Sequence, residues 1–119
     1  MKTLKILLTV FGISMFFTTL ELIFQGVFYT DIHIGYLSGT ALWSIASPLY
    51  IFLFTRGEKE YRTEKMIVYG ILFALGVAAA HIFFPVDKNI IFFPLIKDIF
   101  VVLVSMGIFI FFYKKIEGE

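Results

Sequence analysis

Four long apolar stretches divide this chain, and one hydrophilic run separates the first two from the last two. The stretches cover residues 6–29, 36–54, 66–85 and 95–113. A helix needs about 20 apolar residues to cross a hydrocarbon core about 30 Å thick. The pattern therefore predicts an all-α integral membrane protein with four transmembrane helices. It would form one membrane domain over residues 1–119, with a helical hairpin over 6–54, a loop over 55–65 and a second hairpin over 66–113.

The composition favours a membrane protein over a soluble helical bundle. Hydrophobic residues make up 60% of the chain, charged residues only 16%, and phenylalanine alone occurs 16 times. A soluble domain carries about a quarter charged residues and buries one face of each helix. The apolar run after Lys5 continues past Phe24 without a small-residue cleavage pattern, so we expect a first transmembrane helix there and not a signal peptide.

The basic residues predict the orientation in the membrane. Eight of the ten Lys and Arg residues would share one side with the N-terminus, and only Lys88 and Lys97 would lie on the other. Cytoplasmic loops of membrane proteins carry an excess of Lys and Arg. We therefore expect cytoplasmic N and C termini and a cytoplasmic central loop, in a multi-pass protein of the cell membrane.

The two halves of the sequence resemble each other. The tetrapeptide Val-Phe-Gly-Ile at 10–13 recurs as Val-Tyr-Gly-Ile at 68–71, and the aromatic run at 50–54 recurs at 109–113. Two hairpins that both begin on the same side of the membrane would form a parallel 2+2 internal repeat, as in several transporters.

Polar residues on the first helix predict a site inside the membrane. Thr18, Glu21 and Gln25 recur at spacings of three and four residues, which gives them one helix face. A carboxylate in hydrocarbon costs several kcal/mol and normally faces a partner or a water-filled cavity. Glu21 therefore predicts a site for proton coupling or for a cationic substrate. The alternative is a structural, protonated Glu21 that is hydrogen-bonded to Thr18, Gln25 or a hydroxyl of the second helix.

The second helix carries polar residues that could line the same cleft. Thr40 and Ser44 are four residues apart, and Trp43 lies beside them. We expect the two hydroxyl groups to face Glu21. Trp43 is also typical of the aromatic belt that lies at the membrane surface.

Three more ionisable residues fall near the outer ends of the last two helices. His81 would lie at a depth close to that of Glu21, where it predicts a proton relay or a phosphate contact. Its alternative is an interfacial histidine bonded to a backbone carbonyl. Lys97 and Asp98 could bind a lipid phosphate or a sugar hydroxyl, or serve as anchors at the headgroups, where Lys97 would snorkel.

No motif in the sequence indicates catalysis or a cofactor. The chain has no cysteine and no hydrolytic triad, phosphate loop, paired catalytic carboxylates or His-rich metal cluster. Its basic residues cluster at the predicted membrane edges, which argues against nucleic-acid binding. We therefore expect a protein that is not an enzyme and that has no catalytic residue, cofactor, metal or nucleic-acid partner.

Aromatic residues recur at the ends of the predicted helices. The positions are Phe11-Gly12, Tyr69-Gly70 and the aromatic runs that lead into Arg56 and into Lys114-Lys115. In these features the whole chain resembles the GtrA family of small four-helix membrane proteins, although it lacks that family's Asn-Phe pair near the ends of the second and fourth helices. The resemblance implies handling of polyprenyl-linked sugars, as a flippase or as the partner of a glycosyltransferase.

A second, partial pattern lies in the first two helices. It consists of Glu21, Phe24, Gly39, Thr40, Trp43, Pro48 and Tyr50. These residues resemble the family described as ABC-transporter type IV proteins. The Trp-to-Tyr spacing is two residues longer here, and the third helix lacks the acidic-aromatic pair of that family. The function of that family is itself poorly defined, so this resemblance implies a membrane protein and no particular activity.

These observations predict a protein that binds or translocates an amphipathic lipid, polyprenyl-linked or other, in a cleft that opens outward. One alternative is a proton-coupled exporter of small solutes that uses Glu21. Another is an accessory subunit that transports nothing. Small residues at four-residue spacing let helices approach closely, so we expect membrane lipids as partners and either a homodimer or a larger membrane complex.

Overall fold

Four α-helices make up the described part of the chain. The computed structural model describes residues 2–28, 34–58, 60–84 and 92–117. The helices are α1 (Lys2–Phe28), α2 (Ile34–Phe54), α3 (Arg62–Phe83) and α4 (Phe92–Glu117). Each is long and apolar enough to cross a membrane, as predicted for a multi-pass membrane protein. The longest dimension, 46 Å, is close to the thickness of a bilayer with its headgroups, about 40–45 Å.

The helices extend beyond the predicted apolar stretches. Helix α3 begins at Arg62 and not at Met66, so the last four residues of the hydrophilic run belong to the helix. Helix α4 continues past Tyr113 to Glu117. Polar residues at a helix end can reach the headgroup region, and an apolar pattern therefore stops short of the true helix ends. Two outer loops were predicted, at 30–35 and 86–93, but α2 already begins at Ile34 and α4 at Phe92. The rest of these loops, 30–33 and 86–91 with Lys88, lies outside the described residues.

Helices α2 and α4 pack against each other at the centre, and α1 and α3 lie on opposite sides of this pair. Each outer helix contacts both central helices, and within the described residues α1 and α3 do not contact each other. Ile51, Met66, Val102 and Phe109 are fully buried in the core. The outer faces of α1 and α3 are largely exposed and apolar, as a surface in contact with lipid requires.

At one end of the bundle, Arg62 links α3 to the ends of α2 and α4. Its guanidinium Nη2 donates to the carbonyl oxygen of Phe52 at 3.0 Å, and its Nε donates to Thr55 Oγ1 at 3.2 Å. The guanidinium carbon also lies 5.0 Å from the ring centres of Phe52 and Tyr113. The bond to Phe52 satisfies a carbonyl in the last turn of α2, where the helix itself provides no backbone donor. We call this end of the bundle the Arg62 end.

Helix α3 packs against the centre through small residues. Gly70, Ala74 and Val77 are buried. A Cβ atom on Gly70 would lie 3.0 Å from Met106 Sδ, so the missing side chain is what lets α3 approach α4 here. The sequence-matched Gly12 of α1 is exposed, and a Cβ atom there would meet nothing within 4 Å.

We expect Gly70→Leu to lower the free energy of unfolding by about 1–3 kcal/mol, because the added side chain must displace Met106. Gly76→Leu is the matched control, since Gly76 lies on the same helix with no atom near its Cβ position. Reversible unfolding in mixed detergent–lipid micelles, followed by circular dichroism, gives both values. Equal effects of the two substitutions would contradict the packing described here.

Candidate functional site

Lys97 lies inside the protein, near the end of the bundle opposite Arg62. Its side chain is 12% exposed, and Nζ lies 3.5 Å from Glu21 Oε1 and 3.4 Å from Asp98 Oδ1. Nζ also donates to the carbonyl oxygen of Tyr36 at 2.9 Å. The expected snorkelling of Lys97 is therefore wrong. Helix α4 begins at Phe92, which puts Lys97 past the first turn, where it meets two carboxyl groups instead of lipid headgroups.

Glu21 faces Lys97 from helix α1. Its side chain is 9% exposed, and Gln25 Nε2 donates to Oε1 at 3.1 Å. The four-residue spacing of this pair gives both side chains one helix face, as the sequence predicts. The hydrogen bond to Gln25 agrees with the structural alternative for Glu21. The lysine beside Glu21 is an additional partner that the sequence does not reveal.

His81 and Asp98 form a second buried pair, between α3 and α4. His81 Nε2 lies 2.6 Å from Asp98 Oδ2, and the two side chains are 7% and 6% exposed. The other ring nitrogen of His81, Nδ1, lies 2.8 Å from the carbonyl oxygen of Val77. The expected carbonyl contact of His81 is thus present, and its side chain is buried within the protein. His81 also pairs with Asp98, and among the described residues Lys97 connects this pair to Glu21.

These four side chains, Glu21, Lys97, Asp98 and His81, form what we call the ionic cluster. Two buried oxygen atoms at the cluster have no hydrogen-bond partner among the described residues, Thr40 Oγ1 and Asp98 Oδ1. Lys97 Nζ is within ion-pair range of Asp98 Oδ1, but its direction does not give a hydrogen bond. Buried polar atoms are normally paired with protein or ordered water. Both oxygens are enclosed by protein atoms and, within the described part of the chain, remain unsatisfied beside the cluster.

A cavity of about 420 Å³ reaches the ionic cluster from the side of the bundle, between α1 and α4. We call it the lateral cavity. Its wall is mostly apolar and its polar end is formed by Glu21, Lys97 and Thr40; the other lining residues are Phe17, Leu20, Phe24, Phe100 and Val101. Apolar walls with a few convergent polar groups are typical of small-molecule sites.

Two further cavities lie near the lateral cavity. The second lateral cavity, about 390 Å³, is formed by the same two helices closer to the Arg62 end, and Gly12, Phe16 and Phe112 are among its lining residues. The end cavity, about 270 Å³, lies between α2, α3 and α4 and is lined in part by Trp43, His81 and Asp98. The ionic cluster thus borders both the lateral and the end cavity.

The structure brings together most of the side chains that the sequence predicts for the site. They are Glu21, Gln25, Thr40, Trp43, His81, Lys97 and Asp98. Thr18 and Ser44 do not join them. Thr18 is half-buried on α1 and lines neither adjoining cavity, whereas the Ser44 hydroxyl donates to the carbonyl oxygen of Ala41 at 3.0 Å.

Sequence reasoning missed the apolar wall of the lateral cavity and the carbonyl of Tyr36. Phe17 and Phe100 look the same in sequence as the phenylalanines that face lipid. A backbone carbonyl carries no sequence signal at all. The sequence did indicate the charged part of the site, because ionisable residues fall at similar depths on three of the predicted membrane helices.

Comparison with models of protein families, with curated proteins and with solved structures finds no match for this chain. The two family resemblances therefore stay expectations, and the ionic cluster with its cavities is the feature that bears on function. Within the described ranges, no group of three or more His, Asp and Glu side chains could hold a metal ion.

We expect the pair of Glu21 and Lys97 to be coupled energetically. Glu21→Gln and Lys97→Met should each lower the free energy of unfolding by about 3 kcal/mol, because each removes one partner of a buried charge pair. Asp98 remains beside Lys97, which keeps the cost at the low end of the range for such changes. The double variant should lose less than the sum, since neither charge remains. Strictly additive losses in the unfolding assay would refute a direct interaction.

Proposed function

We propose that this protein binds an amphipathic lipid within the membrane, with the lipid tail in the groove between α1 and α4 and its polar head at the ionic cluster. The observation that carries this proposal is the lateral cavity, which is apolar along its wall and ends at Glu21, Lys97 and Thr40. Binding of this kind is the first step in moving a lipid between leaflets or in presenting it to a partner enzyme.

The polar end of the lateral cavity suits a head that carries both a phosphate and hydroxyl groups. Lys97 offers an ammonium donor for phosphate oxygens, and charge-assisted hydrogen bonds of this type are roughly twice as strong as neutral ones. The Glu21 carboxylate can accept from a hydroxyl group. The buried Thr40 hydroxyl, which has no hydrogen-bond partner among the described residues, can donate or accept. A sugar phosphate on a lipid combines both chemistries.

The length of the groove favours a tail longer than one leaflet. The two lateral cavities are lined by α1 residues from Thr9 to Phe24. At 1.5 Å per residue this stretch covers roughly 22 Å, whereas one leaflet of hydrocarbon is about 15 Å thick, half of the full core. A polyprenyl chain is long enough to occupy both cavities. The length of the groove therefore supports a polyprenyl-linked substrate.

The orientation and the repeat belong to the same proposal. All described Lys and Arg residues except Lys97 lie toward the Arg62 end, which supports a cytoplasmic Arg62 end and an outward-facing ionic cluster.

A parallel 2+2 repeat is supported by the buried positions. On α1 and α3 they correspond as Ile6, Val10, Ser14, Phe17 and Glu21 with Met66, Gly70, Ala74, Val77 and His81.

The central helices give a similar correspondence. On α2 and directly after it, the buried positions Thr40, Ser44, Ser47, Ile51 and Thr55 match the buried positions Asp98, Val102, Ser105, Phe109 and Tyr113 of α4. The four polar positions at the site therefore form two related pairs, Glu21 with His81 and Thr40 with Asp98. On α1 and α3, the buried positions pair Gly70 with Val10, whereas the sequence match pairs it with Gly12. Gly12 and Gly70 have different surroundings. The arrangement supports a site on a two-fold axis along the membrane normal.

The alternatives have less support. An exporter that couples protons through Glu21 would use the same cavity, but the mostly apolar wall of that cavity suits a lipid tail better than a small polar solute. An accessory subunit has no need for a cavity that ends at buried charges. That the protein is not an enzyme also remains our proposal.

We expect polyprenyl phosphate to stay bound when the protein is released from phosphatidylcholine nanodiscs for native mass spectrometry. It should be retained in preference to an equal amount of phosphatidylglycerol. Lys97→Met should lower retention about tenfold, the equivalent of one lost charge-assisted hydrogen bond of about 1.5 kcal/mol. Gly12→Leu should also lower it, because the added side chain fills the second lateral cavity.

Gly76→Leu is the control for the Gly12 variant, because it adds the same side chain at an exposed position on α3. The Gly12 and Gly76 variants leave the ionic cluster intact, so they test the groove even where Lys97→Met fails to fold. Equal retention of the two lipids by every variant would contradict the proposed binding. A stable complex with another membrane protein and no retained lipid would then favour the accessory subunit.

A further inference from the structure

The hydrogen bonds of His81 fix where its protons lie. Nδ1 is 2.8 Å from the carbonyl oxygen of Val77, one turn earlier on the same helix. A carbonyl oxygen can only accept, so Nδ1 must carry a proton. A neutral imidazole has one proton, and Nε2 of a neutral His81 would therefore present a lone pair.

That lone pair would face Asp98. Nε2 lies 2.6 Å from Asp98 Oδ2, and an ionised carboxylate has only lone pairs to offer. Two acceptors at this distance repel each other, in an interior where both side chains are almost fully buried. The contact therefore requires one more proton, on Nε2 or on Oδ2. In either form the pair is neutral overall.

We infer that His81 and Asp98 form a binding site for one exchangeable proton, and that this proton controls the lipid site on the other side of Lys97. The first half stands on the hydrogen bonds alone. The second half rests on the proposed lipid-binding function. Both residues line the end cavity, so we place the route of proton exchange with water there.

The charges around the pair give the sign of this control. Glu21 faces it from α1 through Lys97, which adjoins Asp98 on α4. From α2 come the Tyr36 carbonyl and the uncharged Thr40, with no ionised side chain in the described part of that helix. With the proton bound, the ionic cluster has no net charge. When the proton leaves, the cluster has a net charge of −1.

Loss of the proton also redirects Lys97. Asp98 Oδ1 already lies 3.4 Å from Lys97 Nζ without a hydrogen bond. An Asp98 carboxylate no longer neutralised by His81 attracts Lys97 more strongly and competes with a phosphate in the lateral cavity. Protonation therefore strengthens binding of an anionic lipid head, and deprotonation weakens it.

The proton site can be tested without any lipid substrate. The chain has two histidines, so His33→Gln leaves His81 as the single imidazole in a ¹⁵N-labelled protein in nanodiscs. The two ring nitrogens report protonation through their NMR shifts. We expect both to be protonated at low pH, and Nε2 alone to lose its proton as the pH rises. A neutral ring with its proton on Nε2, or no titration over the range where the protein stays folded, would overturn the proton site.

The control over the lipid site is tested by measuring polyprenyl phosphate retention at several pH values. We expect retention to fall on the order of fivefold or more across the titration of His81, as is typical of coupled sites. Asp98→Asn removes the carboxylate that competes for Lys97, so the fall in retention with rising pH should disappear, whatever the absolute level of retention. Unchanged pH dependence in this variant would overturn the coupling. Absence of retained lipid at every pH, with a normal His81 titration, would instead overturn the proposed lipid binding and leave the proton site standing.

Discussion

A buried ammonium group needs negative partners, and the arrangement at one end of this bundle depends on how Lys97 obtains them. Isolated charges in hydrocarbon cost several kcal/mol, so Lys97 can stay inside only because α1 supplies Glu21, α2 supplies the Tyr36 carbonyl and α4 supplies Asp98. Asp98 in turn holds His81 of α3. The ionic cluster thus joins all four helices, including α1 and α3, which do not touch within the described residues.

The same cluster explains why cavities adjoin it. Charged side chains cannot fill space between helices as closely as interlocking apolar ones, and the groups that they leave unpaired need water or a ligand. At the Arg62 end, the guanidinium group contacts two rings and two acceptors. A cavity of about 540 Å³ also lies there, lined by Arg62 and by Glu58, Glu64 and Glu117. The ionic cluster differs from this end in that its four side chains are almost fully buried between the helices.

The sequence predicts the helices well and the site in part, for physical reasons. Length and apolarity define a membrane helix, so all four were predicted, with ends a few residues short where polar residues continue the helix. Glu21 and Gln25 share a face because of helix periodicity alone. The partner of Lys97 depends instead on how far α4 extends and how it is rotated, which only packing decides. His81 and Asp98 meet across two helices, and nothing in their spacing along the chain indicates that contact.

The most direct test of this account is the position of the Lys97 ammonium group in a lipid bilayer. Solid-state NMR on protein with ¹⁵N-lysine and ¹³C-labelled carboxyl groups measures short nitrogen–carbon distances, and Lys97→Met identifies the signal. We predict that Lys97 contacts both the Glu21 and the Asp98 carboxyl groups, in keeping with N–O distances of 3.5 and 3.4 Å. A Lys97 signal that shows contact with lipid phosphate and with neither carboxyl group would contradict the ionic cluster and the functions derived from it.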